Sequence, residues 1–350
     1  MRAMKLGLFY EWPNPEIGDW KRLFDQSIEQ VQLAEEQGFD FVLIAEHHFS
    51  NYGMSPAPLL QALALAKSTQ RIRIATAVLV LPVWQPLRLA EEIAVLDNLS
   101  DGRFICGIGR GYQPHEFARF GVTNDDSRGR FSECLDVLLK AWTCDTSFTY
   151  DGEFVKIPND VVVWPKPLQK PHPPIWVAGT SSETLRLCAE RGFGALTSGF
   201  AGPARVGESV AELRRYRVEA GRSDDAWELG AQTICLAGED DASAKAAMPH
   251  ARWQLRAMRA LNRRDVENGR VQTAAYEGEA DEAGLWEALY YGGPERVTAK
   301  YVALAEAGAT FASCWMMVGG IEHERIMRSI RLMGEHVIPA VRDVRPAVLT

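Results

Sequence analysis

Glu46, His47 and His48 stand consecutively at the end of an apolar run, Phe41–Val42–Leu43–Ile44–Ala45. A strand-like run that ends in an acid and two imidazoles either surfaces there into solvent or delivers titratable groups into a site. An imidazole titrates near neutrality, so a histidine with a carboxylate at hand can take or give a proton at working pH. Side chains adjacent on a strand point to opposite faces, so only one of the two rings can aim inward. Metal ligation fits less well. The remaining histidines, His115, His172, His250, His323 and His336, show no ligand spacing.

Anion binding is a second chemistry, written at two other places. The stretch "GIGRGY" sets Arg110 between Gly109 and Gly111, where a guanidinium can approach a phosphate closely. The stretch "AGTSSET" puts Gly179, Thr180, Ser181 and Ser182 just before a helical pattern, where free N–H groups and the helix dipole favour an anion. Each has a plainer alternative. Arg110 can pair with a nearby carboxylate such as Glu116, and the serines can simply cap the helix. Arg128, in "TNDDSRGRF", either adds a second cation or faces water. Taken together, two arginines and a Gly/Thr/Ser helix start describe a phosphate clamp. "GIGRG" is not a dinucleotide fingerprint, because its glycines are wrongly spaced and close a fourth strand rather than a first.

The elements that must position these groups follow a rhythm. Apolar runs at 4–10, 39–46, 72–80, 103–109, 174–179, 194–200, 228–238 and 311–319 alternate with helical patterns such as Phe131, Leu135, Leu138 and Trp142. Runs this continuous suit strands covered on both faces. One joint recurs three times, as "LAEEQGFDF", "CAERGFGAL" and "LAEAGATFA": a helix end, a capping glycine and a strand. Serial βα units and eight strands predict an α/β fold, a (β/α)8 TIM barrel, with a doubly wound open sheet as the alternative. In a barrel, strand C-termini share one mouth, where Glu46, His47, Arg110 and Gly179 would meet. Two segments break the rhythm: a hairpin and proline-rich insertion at 146–173 before strand 5, and an excursion at 240–309 between strands 7 and 8. The second reads as a mobile lid within a single domain spanning 1–350.

Composition sets the class. With 350 residues the chain can bury a large core without staples. Its 38 Lys and Arg against 46 Asp and Glu give a net charge of −8, which argues against nucleic acid or an anionic membrane as partner. Six cysteines scattered without a CxxC pair suit a reduced, cytoplasmic protein. No segment is apolar enough for a signal core or a membrane span.

"AEHHF", "IATAVLVLPVWQPLRLAEEIAVLDNLSDGRF", "GIGRGY" and the Thr/Ser-rich end of strand 5 together resemble the bacterial luciferase-like flavin-dependent monooxygenases. The resemblance runs from about Phe39 to Arg128, resumes at 174–200 and fades through 240–310. It implies a TIM barrel that receives FMN as FMNH2 from a separate flavin reductase and reacts it with molecular oxygen at flavin C4a, oxidising a small organic substrate. His47 matches the family's catalytic histidine, with Glu46 beside it. Arg110 and Arg128 match its phosphate-binding arginines, and Gly179, Thr180, Ser181 and Ser182 cover its phosphate loop. Ala77 and Val78 fall where the family carries a non-prolyl cis peptide against the isoalloxazine. Light-emitting subunits carry a cysteine where this chain has Gly109, so light emission is not implied. The helix at 55–70 corresponds to a dimer face, implying a homodimer. Tyr10, Trp12, Phe49, Trp84 and Tyr112 are candidates for an apolar chamber. A coenzyme F420-dependent oxidoreductase on the same barrel is the alternative, as is a family member that binds flavin without turnover.

Overall fold

The computed structural model of the chain describes residues 3–198, 202–223 and 226–344. Eight parallel strands form the barrel: β1 (Lys5–Tyr10), β2 (Phe41–Ile44), β3 (Arg73–Thr76), β4 (Phe104–Gly109), β5 (Ile175–Ala178), β6 (Gly194–Ser198), β7 (Leu229–Ala237) and β8 (Phe311–Trp315). Each pairs with the next, and β8 returns to β1 with Phe311 opposite Lys5. That last pairing closes the ring and excludes the open-sheet alternative. Helices α1 (Trp20–Glu36), α2 (Pro58–Lys67), α3 (Pro86–Leu99), α4 (Asn124–Thr143), α5 (Ser182–Arg191), α6 (Gly202–Glu219), α7 (Pro294–Glu306) and α8 (His323–Leu332) follow the strands in turn. The repeated joints turn on Gly38, Gly192 and Gly308, with φ of 87°, 77° and 96°. Positions 199–200 of the sixth apolar run lie outside the described residues. No described helix is long and apolar enough to cross a membrane.

The barrel interior is plugged below the mouth by three rings. Phe41, Trp176 and Phe311 point inward from β2, β5 and β8. Trp176 and Phe311 stack with centroids 4.0 Å apart, and Phe41 meets both edge-on at 5.5 and 5.6 Å. Each ring has a glycine as its partner on the neighbouring strand: Gly7 opposite Phe41, Gly194 opposite Trp176, Gly230 opposite Phe311. A Cβ on Gly7 would lie 2.1 Å from the Phe41 ring, and one on Gly230 2.0 Å from that of Phe311. The glycines here serve space, not turning.

Both insertions are folded. At 146–173 the strands Phe148–Asp151 and Lys156–Val161 pair as a hairpin. Its turn is held by the Glu133 carboxylate, which accepts from the N–H groups of Glu153, Phe154 and Val155 at 2.7, 2.9 and 2.8 Å. The β7-to-β8 excursion contains the helix Met248–Arg263, a small hairpin at 266–271 and the strand Tyr290–Gly292, which pairs with the second half of β7. Asn51, in the loop after β2, fastens the hairpin to the barrel. Its Oδ1 accepts from Val271 N–H at 2.9 Å, its N–H donates to Gly269 at 2.8 Å and its Nδ2 donates to Pro15 at 3.1 Å.

The plug makes a direct test possible. Gly230→Ala overpacks a closed interior and should cost about 1–3 kcal/mol. Adding Phe311→Leu should recover part of that loss, read as a non-additive cycle in urea unfolding. Strict additivity would show that ring and glycine do not share one space.

Candidate active site

The mouth is built from loops that leave β1, β2 and β4. β2 ends at Ile44, and the chain then carries His47 into a buried position, its side chain only 11% exposed. Pro114 opens the short helix Pro114–Phe120 after β4, which places Glu116 in its first turn. Glu116 Oε1 lies 3.0 Å from His47 Nδ1 and accepts from His48 N–H at 2.9 Å. On the ring's other side, Glu11, the residue after β1, sets Oε2 3.6 Å from His47 Nε2. Tyr52 stands edge-on to the imidazole at 4.8 Å and is a hydrogen-bonding neighbour of Glu11.

These contacts set the protonation. Burial works against a charged His47, but Glu116 and Glu11 outweigh it and raise its pKa above the usual value. Burial likewise works against the Glu116 anion, yet His47 and the His48 N–H hold its pKa below the ordinary range. Glu11 behaves oppositely: burial pushes its carboxyl up to about 8, with His47 and Tyr52 only partly opposing. The group can therefore accept or donate a proton near neutrality.

Glu46 and His48 face a different neighbourhood. Glu46 accepts from Val80 N–H at 2.7 Å and from the Trp84 indole at 3.0 Å, and pairs with His48 Nε2 at 3.0 Å. It thus anchors the segment after β3 and stands beside His48, while His47 takes Glu116 and Glu11. The peptide between Ala77 and Val78 in that segment is cis. Thr76 Oγ1 clips the segment's base to β4 by accepting from Gly107 N–H at 3.0 Å and donating to the Gly107 carbonyl at 2.8 Å. A Cβ on Gly109 would meet Val78 Cγ2 at 2.6 Å, so Val78 occupies the space a side chain at 109 would need.

The anion-binding candidates gather on the β4–β5 side. Ile108 lies opposite Val177, so Arg110 and Gly179, each two residues on, leave the barrel at one level. Arg110 is exposed and forms no ion pair with any described carboxylate. Glu116, its possible partner, is taken by His47. Arg128, near the start of α4, reaches the first turn of α5 and pairs with Glu183 at 2.6 Å. Gly179 turns with φ 151°, and a Cβ there would lie 2.8 Å from Thr184 Oγ1. The Ser181 hydroxyl caps α5 by accepting from Thr184 N–H at 3.2 Å, and Ser182 bonds Glu212. Thr180 is half-buried in the turn between them. Residues 199–201 lie outside the described residues.

Of the candidate chamber aromatics, Tyr10 and Trp12 belong to the core, bonded to Gln30 and Ser27. Phe49 and Tyr112 are half-exposed at the mouth, where Phe120 joins Phe49 at 5.2 Å, and Trp84 is partly buried. Glu11 and Glu116 were absent from the sequence-based site. Glu11 carried the same signal as Glu46, an acid directly after an apolar strand, in "LFYEW". Glu116 carried none beyond lying downstream of β4. Among the described residues no group of His, Cys, Asp and Glu could hold a metal.

A sequence profile described as luciferase-like monooxygenase matches residues 4–310. The chain is 33% identical over 325 residues to the uncharacterized protein y4vJ of Sinorhizobium fredii, spanning 90% of this chain and 91% of that one. It is 34% identical over 174 residues to the oxygenase component of a flavin-dependent trigonelline monooxygenase from Acinetobacter baylyi, a match covering 49% of this chain and 48% of that one. The solved monooxygenase RslO1 of Streptomyces bottropensis superposes with a TM-score of 0.82 at 27% identity, covering 96% of this chain and 99% of that one.

Glu11 makes the electrostatics testable without a ligand. Between its unfolded value of 4.5 and about 8, the folded protein keeps a proton that the unfolded chain releases. Stability therefore falls as pH rises through that window and stays low above it, by on the order of a few kcal/mol. We expect Glu11→Gln to melt near the wild type at pH 5 and several degrees above it at pH 9. Parallel melting curves across that range would mean that Glu11 ionises as an ordinary carboxyl.

Proposed function

The chain belongs to the luciferase-like monooxygenase family, and on that premise we propose that it is the oxygenase component of a two-component FMN system. A separate flavin reductase would supply FMNH2, and oxygen would react through a C4a-peroxyflavin to oxidise a small apolar carbonyl-type substrate. The reading is carried by one observation. A buried imidazole between two carboxylates shares a barrel mouth with an unpaired arginine and the Ser181-capped start of a helix. The first is a group that moves protons, and the second is a cradle for a phosphate.

In this reading Arg110 and the α5 N-terminus hold the FMN phosphate, and Arg128 joins them when Glu183 yields it. Ala77 and Val78 line the isoalloxazine. His47 accepts or returns a proton at Nε2, because Nδ1–H is committed to Glu116. Glu46 keeps the Ala77–Val80 segment and Trp84 in place. Phe49, Trp84, Tyr112 and Phe120 supply apolar surface at the mouth, which favours an apolar substrate and limits water. The six cysteines are free, which supports a reduced, cytoplasmic setting. The trigonelline monooxygenase relative, described as an oxygenase component, supports a reductase partner.

The reading is tested by anaerobic titration with reduced FMN, then rapid mixing with oxygen under spectrophotometry. Tight binding and a long-lived oxygenated flavin spectrum are the expected results. Arg110→Ala should weaken binding about 10–100-fold, the loss of a charge-assisted contact. His47→Ala should bind within a few-fold of wild type but turn over about 10²–10⁴-fold more slowly. Binding of F420 in place of FMN would move the protein to the hydride-transfer branch, and reoxidation without any intermediate would point to a non-catalytic flavin carrier.

We also propose a homodimer formed through α2 and α3, which pack side by side. Leu60 is 71% exposed there, and Val95 and Leu99 are 40% and 42% exposed on the adjoining helix. Light scattering should give twice the chain mass, and Leu60→Glu with Val95→Glu should give monomer. A monomeric wild type would refute the interface.

A further inference from the structure

Glu11 flanks His47 in the reading above but is given no step there, and both of its oxygens are engaged. It is 1% exposed. Oε2 faces His47 Nε2 at 3.6 Å, and Oε1 accepts a 2.5 Å hydrogen bond from Gln254 Nε2. Gln254 is fully buried and arrives from the excursion helix Met248–Arg263. Its own oxygen accepts from Gly319 N–H at 3.1 Å, in the loop after β8. That loop is pressed against the helix, since a Cβ on Gly319 would lie 2.2 Å from the His250 carbonyl oxygen.

Donor and acceptor roles then follow by elimination. The Gln254 oxygen is used by Gly319, so its amino group must face Glu11, and Oε1 is an acceptor. Any proton on the Glu11 carboxyl therefore sits on Oε2, toward His47. At the far end Glu116 accepts from the His48 N–H as well as the ring, so Nδ1 of His47 carries hydrogen and Nε2 is the exchanging nitrogen. The bonds from Gly319 to Gln254 and from Gln254 to Glu11 run toward His47, whose Nδ1–H donates on to Glu116.

We infer that Glu11 is the proton partner of His47, and that Gln254 is a positioning residue that aims Glu11 at Nε2 only while the excursion helix is docked. The step is balanced: the Oε2–H bond of Glu11 breaks as the Nε2–H bond of His47 forms, leaving a carboxylate facing an imidazolium. The reverse step restores both, and no other group changes protonation. The 3.6 Å separation must contract by a few tenths of an ångström for this transfer, as sites do when ligands close them. Besides each other, the pair is acted on by Glu116, Glu46, Tyr52 and, from the loop after β4, Tyr112. The inference takes His47 as the proton-handling group proposed above, deepening that reading at the same site.

Its test uses the full-length protein alone. Side-chain nitrogen NMR of histidine-labelled protein follows His47 from pH 5 to 10, with the resonance assigned by its loss in His47→Gln. The wild type should show two coupled steps, because the ring senses Glu11 as well as its own proton. Glu11→Gln should leave one step. Gln254→Leu removes a donor that favours the carboxylate form, so the Glu11-linked step should move up by about one pH unit. A purely structural Gln254 would leave both steps where they were. Should Gln254→Leu fold poorly, Gln254→Met keeps the length and repeats the comparison. A single wild-type step, or steps unmoved in both variants, overturns the relay. No cofactor takes part, so that outcome leaves the FMN reading standing, and failure to bind FMN leaves the relay standing.

Discussion

A carboxylate buried as deeply as Glu116, 4% exposed, is costly unless its charge is met, and the groups that meet it order the whole site. One oxygen accepts from the His47 ring and from the His48 backbone, tying the loop after β2 to the helix after β4. A turn of the ring would strip that anion of one of its two partners. Its tautomer is fixed for the same reason, and its second nitrogen is presented to Glu11. Glu46, two residues earlier in sequence than His48, takes the other imidazole and holds the segment after β3. Two acids thus hold two adjacent histidines to different partners, in the loop just beyond the end of β2.

Around this pair the excursion between β7 and β8 is fastened at three places. Asn51 ties its hairpin to the first two loops, Gln254 enters the site from its helix, and Tyr290–Gly292 pairs with β7. On the reading proposed above, the piece of chain that flanks the mouth also reaches the His47 pair, through Gln254. A substrate that disturbs it would disturb the protonation of the site as well.

The serial βα units were legible in the sequence because they leave a loud trace: eight apolar runs, helical stripes and a thrice-repeated joint that turns on Gly38, Gly192 and Gly308. Closure was not, since an open sheet carries the same runs and only the β8–β1 pairing excludes it. The placement of His47 beyond β2 and of Arg110 beyond β4 was legible, because each follows directly on an apolar strand run. Tyr10 and Trp12 misled because position at a strand end says nothing about which way a ring points, and both found polar partners inside. Glu116 and Gln254 were silent for a deeper reason. Each acts through hydrogen bonds across the fold, Glu116 reaching His47 from 69 residues away and Gln254 reaching Glu11 from 243. No periodicity or composition records a contact of that kind.

The three ring–glycine pairs at the base of the barrel carry an evolutionary consequence. Ring and gap occupy one volume, so neither can drift alone: a lineage that enlarges Gly7 or Gly230 must shrink Phe41 or Phe311 in the same interval. The base should therefore be read across relatives as co-varying couples on adjacent strands, changing rarely and together. The loops at the other end share no volume with it. New specificities can be tried there generation after generation while the floor beneath them is inherited intact.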